Sequence, residues 1–398
     1  MEGIQVLNMK KLTVLGVGSA GCRIAGSLRD MPGAENLRLL AFDCDAEALE
    51  KSGLSGENVI LAGKKWREGR GCGGQVDKGQ AAAAAEREVL TEKLSDSKLL
   101  IVIAGLGRGF GSGAMAVIQS VTSRLKLPTL FLVTKPFVFE GVARRNIAEK
   151  TITADLLPLA GAVITVPNDL LFSTRLPATV SHEEAFALAD RVLAQSAMAL
   201  AVTLSSGNRL AADYDTLSAV LNRKHAICSI GHAAVKTGEP EWDRVLVERL
   251  LDAPMLGGSS KLKLADAAFM VLNGGEGLTL GDARTVFENL QKYTDKECNV
   301  LVGAGADPAW GPETQLVVLT IKFESAGTPE AASGTAVSGS RKGRKKKIDS
   351  EDEFQPDLFA PQSGNLGIME GTTPVNVDGV NLDVPTFLRK HIPIDGGN

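Results

Sequence analysis

Residues 103–114 read IAGLGRGFGSGA and continue the apolar run KLLIVI at 98–103. Glycine occupies positions 105, 107, 109, 111 and 113, with Ser112 among them. A helix is predicted directly afterwards, over 113–125. Alternate glycines let a backbone fold closely around an anion, at an entropy cost. Main-chain N–H groups and a helix N-terminus converge at such a strand-to-helix turn and favour phosphate. The pattern predicts a phosphate site rather than a surface tether.

Two more glycine-rich stretches support it. TVLGVGSAGCR, at 13–23, places Gly16, Gly18 and Gly21 in a G-x-G-x-x-G pattern. Asp43 ends the next apolar run, where the ribose-binding acid of a nicotinamide enzyme would sit. GRGCGGQVDKGQ, at 69–80, is the third. Three such loops at the strand ends of one sheet suggest a polyphosphate pocket at its carboxyl edge. A Walker A motif is absent, since the pair Gly63–Lys64 is followed by Lys65. The phosphates are therefore expected to be held by backbone. A nicotinamide dinucleotide and a different phosphate ligand both remain open on these residues.

Short apolar runs recur to about residue 175: LTVLG, LRLLAF, LLIVIA, TLFLVT and AVITV. Helix-like segments lie between them, notably 78–94 and 113–125. That alternation implies βαβ units and a mostly parallel sheet. SHEEAFALADRVLAQSAMALAVTL, at 181–204, starts with a Ser181–Glu184 capping box. It is apolar nearly all round, which predicts a central helix buried on most faces. A second α/β block has strand candidates at 268–273, 299–304 and 315–321, and helix candidates at 241–252 and 281–291. Beyond Phe323 the chain is small, polar and charged, as a disordered linker would be.

Bulk properties set limits. Of 398 residues, 44% are hydrophobic and 23% charged, with a net charge of −4, so any basic function must be local. No stretch reaches the roughly 18 consecutive apolar residues of a membrane-spanning helix, and the N-terminus lacks a signal-peptide core. The five cysteines are scattered without a C-x-x-C pair, which argues against a disulfide framework or zinc site and for a reducing cytosol. The four histidines show no metal-ligand spacing.

Taken together, the motifs resemble tubulin and its bacterial homologue FtsZ. The family signature G-G-G-T-G-[ST]-G is similar to Gly107-Arg108-Gly109-Phe110-Gly111-Ser112-Gly113. VTKPFVFEG at 133–141 resembles the segment after the family's third parallel strand, and VITVPNDLLF at 163–172 its I-P-N-D stretch. NLDVPTFLRK at 381–390 is similar to the C-terminal FtsZ peptide that docks membrane-tethering partners. Order and spacing agree from about residue 11 to 322 and again at the tail.

The resemblance implies an α/β fold: a Rossmann-like parallel-sheet GTPase domain (1–180), a long central helix (181–205) and a smaller α/β C-terminal domain (206–323). A disordered linker with a basic run (324–379) and a partner-binding peptide (380–398) complete the expected organisation. It implies GTP or GDP as ligand, with Mg²⁺. The turn carrying Gly16, Gly18, Ser19, Ala20, Gly21 and Arg23 would pass under the nucleotide. Asp43 and Asp45 would lie near the phosphates or Mg²⁺, with Gly73 and Gly74 also at the nucleotide. Gly105 and Gly107 to Gly113 would wrap the α- and β-phosphates; Glu140 and Arg144 would contact the ribose side. Asn168 would approach the base, Phe186 would stack on guanine, and Asp190 would accept its N1 and N2 hydrogens.

In the family, a loop after the central helix presents acids to the γ-phosphate of the neighbouring subunit. A carboxylate there orients water. The family loop N-x-D-x-x-D aligns with Ala211, Asp213 and Thr216, and Asp215 sits one place early. On a helix that offset turns the side chain by roughly 100°. Arg108 and Phe110 replace a Gly and a Thr of the signature, and Arg108 would add charge to the phosphate pocket. Asp190-Arg191 replace the guanine-reading Asn-Asp pair, and Cys22 stands where the family usually has another Gly.

The implied protein is cytoplasmic, acts at the division site on the inner face of the membrane, and polymerises head to tail with slow or altered hydrolysis. RKGRKKK at 341–347 is either a solvated linker block or a contact for anionic lipid or nucleic acid. A hydrolysis-impaired paralogue that scaffolds or regulates filaments is the alternative. A dehydrogenase would need a hydride-transfer site in 206–322, where no convincing His/Asp or Arg arrangement is seen.

Overall fold

The apolar runs of the first half form strands buried on both faces, which is why they read as continuous rather than alternating. In a computed structural model these are β1 (Leu12–Val17), β2 (Arg38–Asp43), β3 (Val59–Leu61), β4 (Leu99–Gly105), β5 (Thr129–Lys135) and β6 (Ala162–Pro167). The structure describes residues 12–31, 34–64, 68–158, 162–172, 181–205, 225–275, 277–306 and 311–323, with 376–377 and 380–381. The second half adds β7 (Ala226–Lys236), β8 (Ala267–Gly274), β9 (Asn299–Ala306) and β10 (Glu313–Phe323).

The chain divides into two compact units, 1–330 and 331–398. The first holds one ten-stranded sheet in the order β3-β2-β1-β4-β5-β6-β7-β10-β8-β9. Pairing is parallel from β3 through β7, antiparallel on both sides of β10, and parallel again between β8 and β9. In the second unit the described residues are two short antiparallel strands, β11 (Asn376–Val377) and β12 (Val380–Asn381). The rest of the linker 324–379 and of the peptide 380–398 lies outside the described residues.

Helices cover both faces. On one, α1 (Gly18–Leu28) buries Cys22, Ile24 and Leu28 against Leu12, Val14, Ile101 and Ile103. The opposite strand residues Leu15, Val17, Val102 and Ala104 pack elsewhere. They lie in the cluster of α3 (Val76–Ala85), α4 (Arg87–Leu94) and α6 (Met115–Leu125). Between β2 and β3 runs α2 (Ala46–Lys51), and α5 (Gly109–Gly113) follows β4. The segment read as one helix over 78–94 breaks at Glu86, whose backbone leaves helical geometry at φ −104°, ψ 16°.

The central helix, α9 (His182–Ser205), follows α7 (Val142–Lys150) and α8 (Asn168–Phe172). Its capping box is formed: Ser181 N–H donates to Glu184 at 2.9 Å, and Glu184 N–H donates to Ser181 Oγ at 3.2 Å. Its described side chains divide into a buried face and an exposed stripe. Ala189, Leu193, Ala194, Ala197, Met198 and Ala201 enter the core, while Glu184, Ala187, Arg191 and Gln195 form an exposed stripe. An alanine reads as apolar in the sequence but is tolerated in water. In the strand β7, Ser229, Gly231 and His232 interrupt Ile227, Cys228, Ile230 and Val235, so no continuous apolar run marks it. It forms because β6 and β10 hydrogen-bond it from both sides.

Candidate functional site

The order β3-β2-β1-β4-β5-β6 is that of a doubly wound sheet. The chain leaves β1 for one face and β4 for the other, so a crevice opens beyond the carboxyl ends of these two neighbours. Both glycine turns end there. Gly18 has φ +72°, and a β-carbon on it would stand 3.1 Å from both Cα and N of Gly111. Gly16 and Gly21 lie where α1 crosses the sheet; Gly105 faces Ala20.

Residues 109–113 close into the short buried helix α5. The buried Ser112 accepts the Gly107 N–H on its Oγ at 2.9 Å, so the hydroxyl secures the turn itself. Gly107 has φ +94°, and a β-carbon there would lie 2.4 Å from Pro136 Cγ. Phe110 points into the core, edge-on to Phe42 with ring centroids 5.0 Å apart. Residue 110 therefore presents main chain, not a side chain, to a ligand. Arg108 lies outward, 64% exposed, with its guanidinium 3.7 Å from Glu140 Oε2. Arg144 donates to the same oxygen at 2.8 Å, and the Phe137 N–H donates to Oε1 at 3.1 Å. Two cations thus converge on one buried carboxylate.

Asp43 is buried at the end of β2. Its Oδ1 accepts the Cys44 N–H at 2.7 Å and the Asp45 N–H at 3.3 Å, and Ser19 donates to Oδ2 at 3.2 Å. Burial raises its carboxyl to about 6, the hydrogen bonds opposing. Asp45 caps α2, accepting the Glu47 and Ala48 N–H groups. Among the described residues no group of three or more His, Cys, Asp or Glu is placed to hold a metal ion. Mg²⁺ usually keeps several waters and takes phosphate oxygens, so one or two carboxylates suffice for it.

On the far side, Asn168 opens α8 and is buried at 7% exposure. Its side-chain amide has no hydrogen-bond partner among the described residues. Phe186 meets Phe137 edge-on at 5.1 Å. The half-buried Asp190 accepts a hydrogen bond from Arg23 Nε, tying α9 to α1. Gly73 and Gly74 lie in the loop before α3. Asp213 and Asp215 fall outside the described residues.

This arrangement recurs in known proteins. Residues 11–175 match the model of the Tubulin/FtsZ family, GTPase domain. An empty FtsZ dimer from M. jannaschii superposes with a TM-score of 0.70 at 26% identity, covering 81% of this chain and 95% of that one. A mutant of that FtsZ gives 0.69 at 27% identity, over 79% of this chain and 91% of its own. The chain is a divergent member of the tubulin/FtsZ superfamily. CetZ2 from Haloferax volcanii, a GTPγS-bound protofilament, shares the fold at a TM-score of 0.62 and 20% identity, over 78% and 92% of the two chains.

As a superfamily member it is in kind an FtsZ-like cytoskeletal GTPase with a guanine-nucleotide domain. No helix among its described residues is long and apolar enough to cross a membrane. Sequence reasoning missed Asp169, whose carboxylate accepts the Val138 N–H at 3.1 Å and so fixes the segment before Glu140. The PND stretch contained that residue, but its partner lies on another strand's loop. Phe137 was missed likewise.

Proposed function

We propose that this chain binds GTP at the β1/β4 crevice and polymerises head to tail, hydrolysing GTP slowly at the subunit interface. The observation that carries this is the meeting of Gly18 with Gly111 at the switch point, close to main chain that can surround phosphates. The turn from Gly16 to Arg23 and residues 105–113 hold the phosphates through N–H groups, with Gly73 and Gly74 at the edge. Glu140 and Arg144 take the ribose; Asn168, Phe186 and Asp190 take the base. Since Arg23 already occupies one Asp190 oxygen, a guanine would use the other. Asp43 and Asp45 would hold Mg²⁺, which would neutralise charge on the phosphates.

Asp213 and Asp215 of one subunit orient water toward the nucleotide of the next. Such a contact is heterologous and generates open filaments; the dimer and protofilament forms of the similar structures support self-association. Ala211 and Thr216, where the resemblance expects Asn and Asp, favour slow turnover and keep a second reading in play: a scaffold or regulator of more active filaments. We assign the role to cell division at the inner membrane face, with 381–390 docking a tethering partner and 341–347 meeting anionic lipid or nucleic acid. The functional boundaries are 1–180, 181–205, 206–323, 324–379 and 380–398.

Steady-state GTP turnover measured beside sedimentation and electron microscopy, with GTP and with GDP, tests the proposal. Filaments with GTP and turnover lost in Asp213→Ala are expected. Robust turnover in that variant overturns the intersubunit assignment; bound NAD in purified protein overturns the nucleotide. Filaments without turnover support the scaffold. Co-sedimentation with anionic liposomes, unchanged on neutralising the six basic residues of 341–347, would refute the lipid contact.

A further inference from the structure

The two arginines on Glu140 are not equivalent. Arg144, one helical turn on, donates to Oε2 at 2.8 Å, and the Phe137 N–H donates to Oε1 at 3.1 Å. These contacts satisfy a carboxylate whose side chain is only 9% exposed. Arg108 comes third. Its nearest nitrogen is 3.7 Å from Oε2, beyond hydrogen-bond distance. Among the described residues Glu140 is nevertheless its sole partner. The Arg108 side chain is 64% exposed, and so loose a pair in water contributes little. Two guanidinium groups against one carboxylate also leave a net positive charge beside the signature loop.

The backbone fixes where that charge sits. Gly107 is wedged against the segment that carries Glu140 and Arg144: a β-carbon on it would stand 2.4 Å from Pro136 Cγ and 2.9 Å from the Arg144 carbonyl oxygen. Ser112 holds its N–H. Gly109 is confined on the other side, where a β-carbon would lie 2.3 Å from Cys72 Sγ and 2.9 Å from the Gln75 nitrogen. Between them Arg108 has an extended backbone, φ −125°, ψ 178°. Its main chain is held at both ends, and its side chain is the part that can swing.

We propose that Arg108 is a side-chain phosphate ligand stored on Glu140: a nucleoside diphosphate or triphosphate draws its guanidinium off the carboxylate and onto phosphate oxygens. This rests on reading 105–113 as the phosphate loop and Glu140 as the ribose partner. Two physical reasons favour the exchange. The planar fork of an arginine donates to two phosphate oxygens at once, whereas Glu140 Oε2 already has Arg144. A polyphosphate also carries more negative charge than a carboxylate that one arginine already offsets. When Arg108 leaves, Oε2 is uncovered and accepts a hydrogen bond from a ribose hydroxyl. One side chain thereby links phosphate recognition to ribose recognition, which main-chain N–H groups alone would not do.

The test uses the full chain, below the concentration at which sedimentation detects filaments. Displacement of a fluorescent GTP analogue gives affinities for GDP, inorganic pyrophosphate and guanosine in the wild type, Arg108→Ala and Arg108→Lys. Arg108→Ala should weaken GDP and pyrophosphate by about tenfold. Guanosine, which has no phosphate, should bind as well or better, because Glu140 is then already open to the ribose. Arg108→Lys keeps the charge without the fork and should recover part of the loss. Added salt should narrow the gap between the wild type and Arg108→Ala. Equal losses for all three ligands would make Arg108 a support of the loop and overturn the proposal. Unchanged affinities with impaired sedimentation would place it at a subunit contact and overturn it too. A wild type that binds no guanine nucleotide refutes the reading of the loop itself, an outcome distinct from lost selectivity in one variant.

Discussion

Gly18 and Gly111 touch main chain to main chain: a β-carbon on Gly18 would stand 3.1 Å from both Cα and N of Gly111. A turn after β1 and a turn after β4 share one point at the switch in strand order. Gly111 is boxed in from the other side as well, since a β-carbon there would lie 2.2 Å from the Gly105 carbonyl oxygen. That atom is backbone and cannot rotate away. Gly111→Ala should therefore displace the loop and weaken guanine-nucleotide binding by about tenfold or more, which is about 1.4 kcal/mol. Fluorescence titration measures this; wild-type affinity in the variant would show that the loop does not hold the ligand.

Phe110 stands where the family signature has threonine, yet its ring is 4% exposed and packs on Phe42. Phe110→Thr should not improve the site. It should leave a cavity and cost about 3 kcal/mol, as truncation of a buried phenylalanine does. Urea denaturation reads the difference, and an unchanged midpoint would contradict the packing.

Burial raises the Asp43 carboxyl from an ordinary 3.8 to about 6. The folded chain then holds this proton more tightly than the unfolded chain. Stability from this group is fully present below about pH 4, is lost as pH rises to about 6, and is level above that. Asp43→Asn should remove the slope and, at neutral pH, make the nucleotide-free, Mg²⁺-free protein more stable by an amount on the order of 3 kcal/mol. Ser19 can reverse its hydroxyl to accept from the amide. Thermal melts between pH 4 and 8 check this, and parallel profiles for the two proteins would refute it.

Arg23 is the partner of Asp190, whose side chain is only 16% exposed and whose carboxyl is raised by burial. Arg23→Ala leaves that carboxylate without its cation and should cost roughly 1–3 kcal/mol. The loss should shrink at acid pH, as Asp190 takes a proton. Melting curves at two pH values distinguish this from a pH-independent packing defect.

Much of the fold was legible because its signals are local. β1, β2 and β4 to β6 are continuous apolar runs, and the Ser181–Glu184 box is a spacing of three. β7 was not legible, since Ser229, Gly231 and His232 interrupt its apolar residues and neighbours on both sides hold it in the sheet. The exposed stripe of α9 carries Glu184, Arg191 and Gln195, but the many alanines around it read as apolar and hide how narrow the buried face is. The site divides in the same way. The glycine loops could be read, but Asp169 could not, since its role depends on the Val138 N–H supplied by a different loop.

By itself the sequence determined the α/β class, the glycine loops and the superfamily, because glycine spacing and apolar periodicity act through neighbouring residues. Only the tertiary structure decided what the side chains in those loops do. Phe110 enters the core, Ser112 secures its own turn, and Arg108 and Arg144 share Glu140. Each of these depends on contacts made when the sheet brings its strand ends together, and no local pattern encodes which side chain will be there.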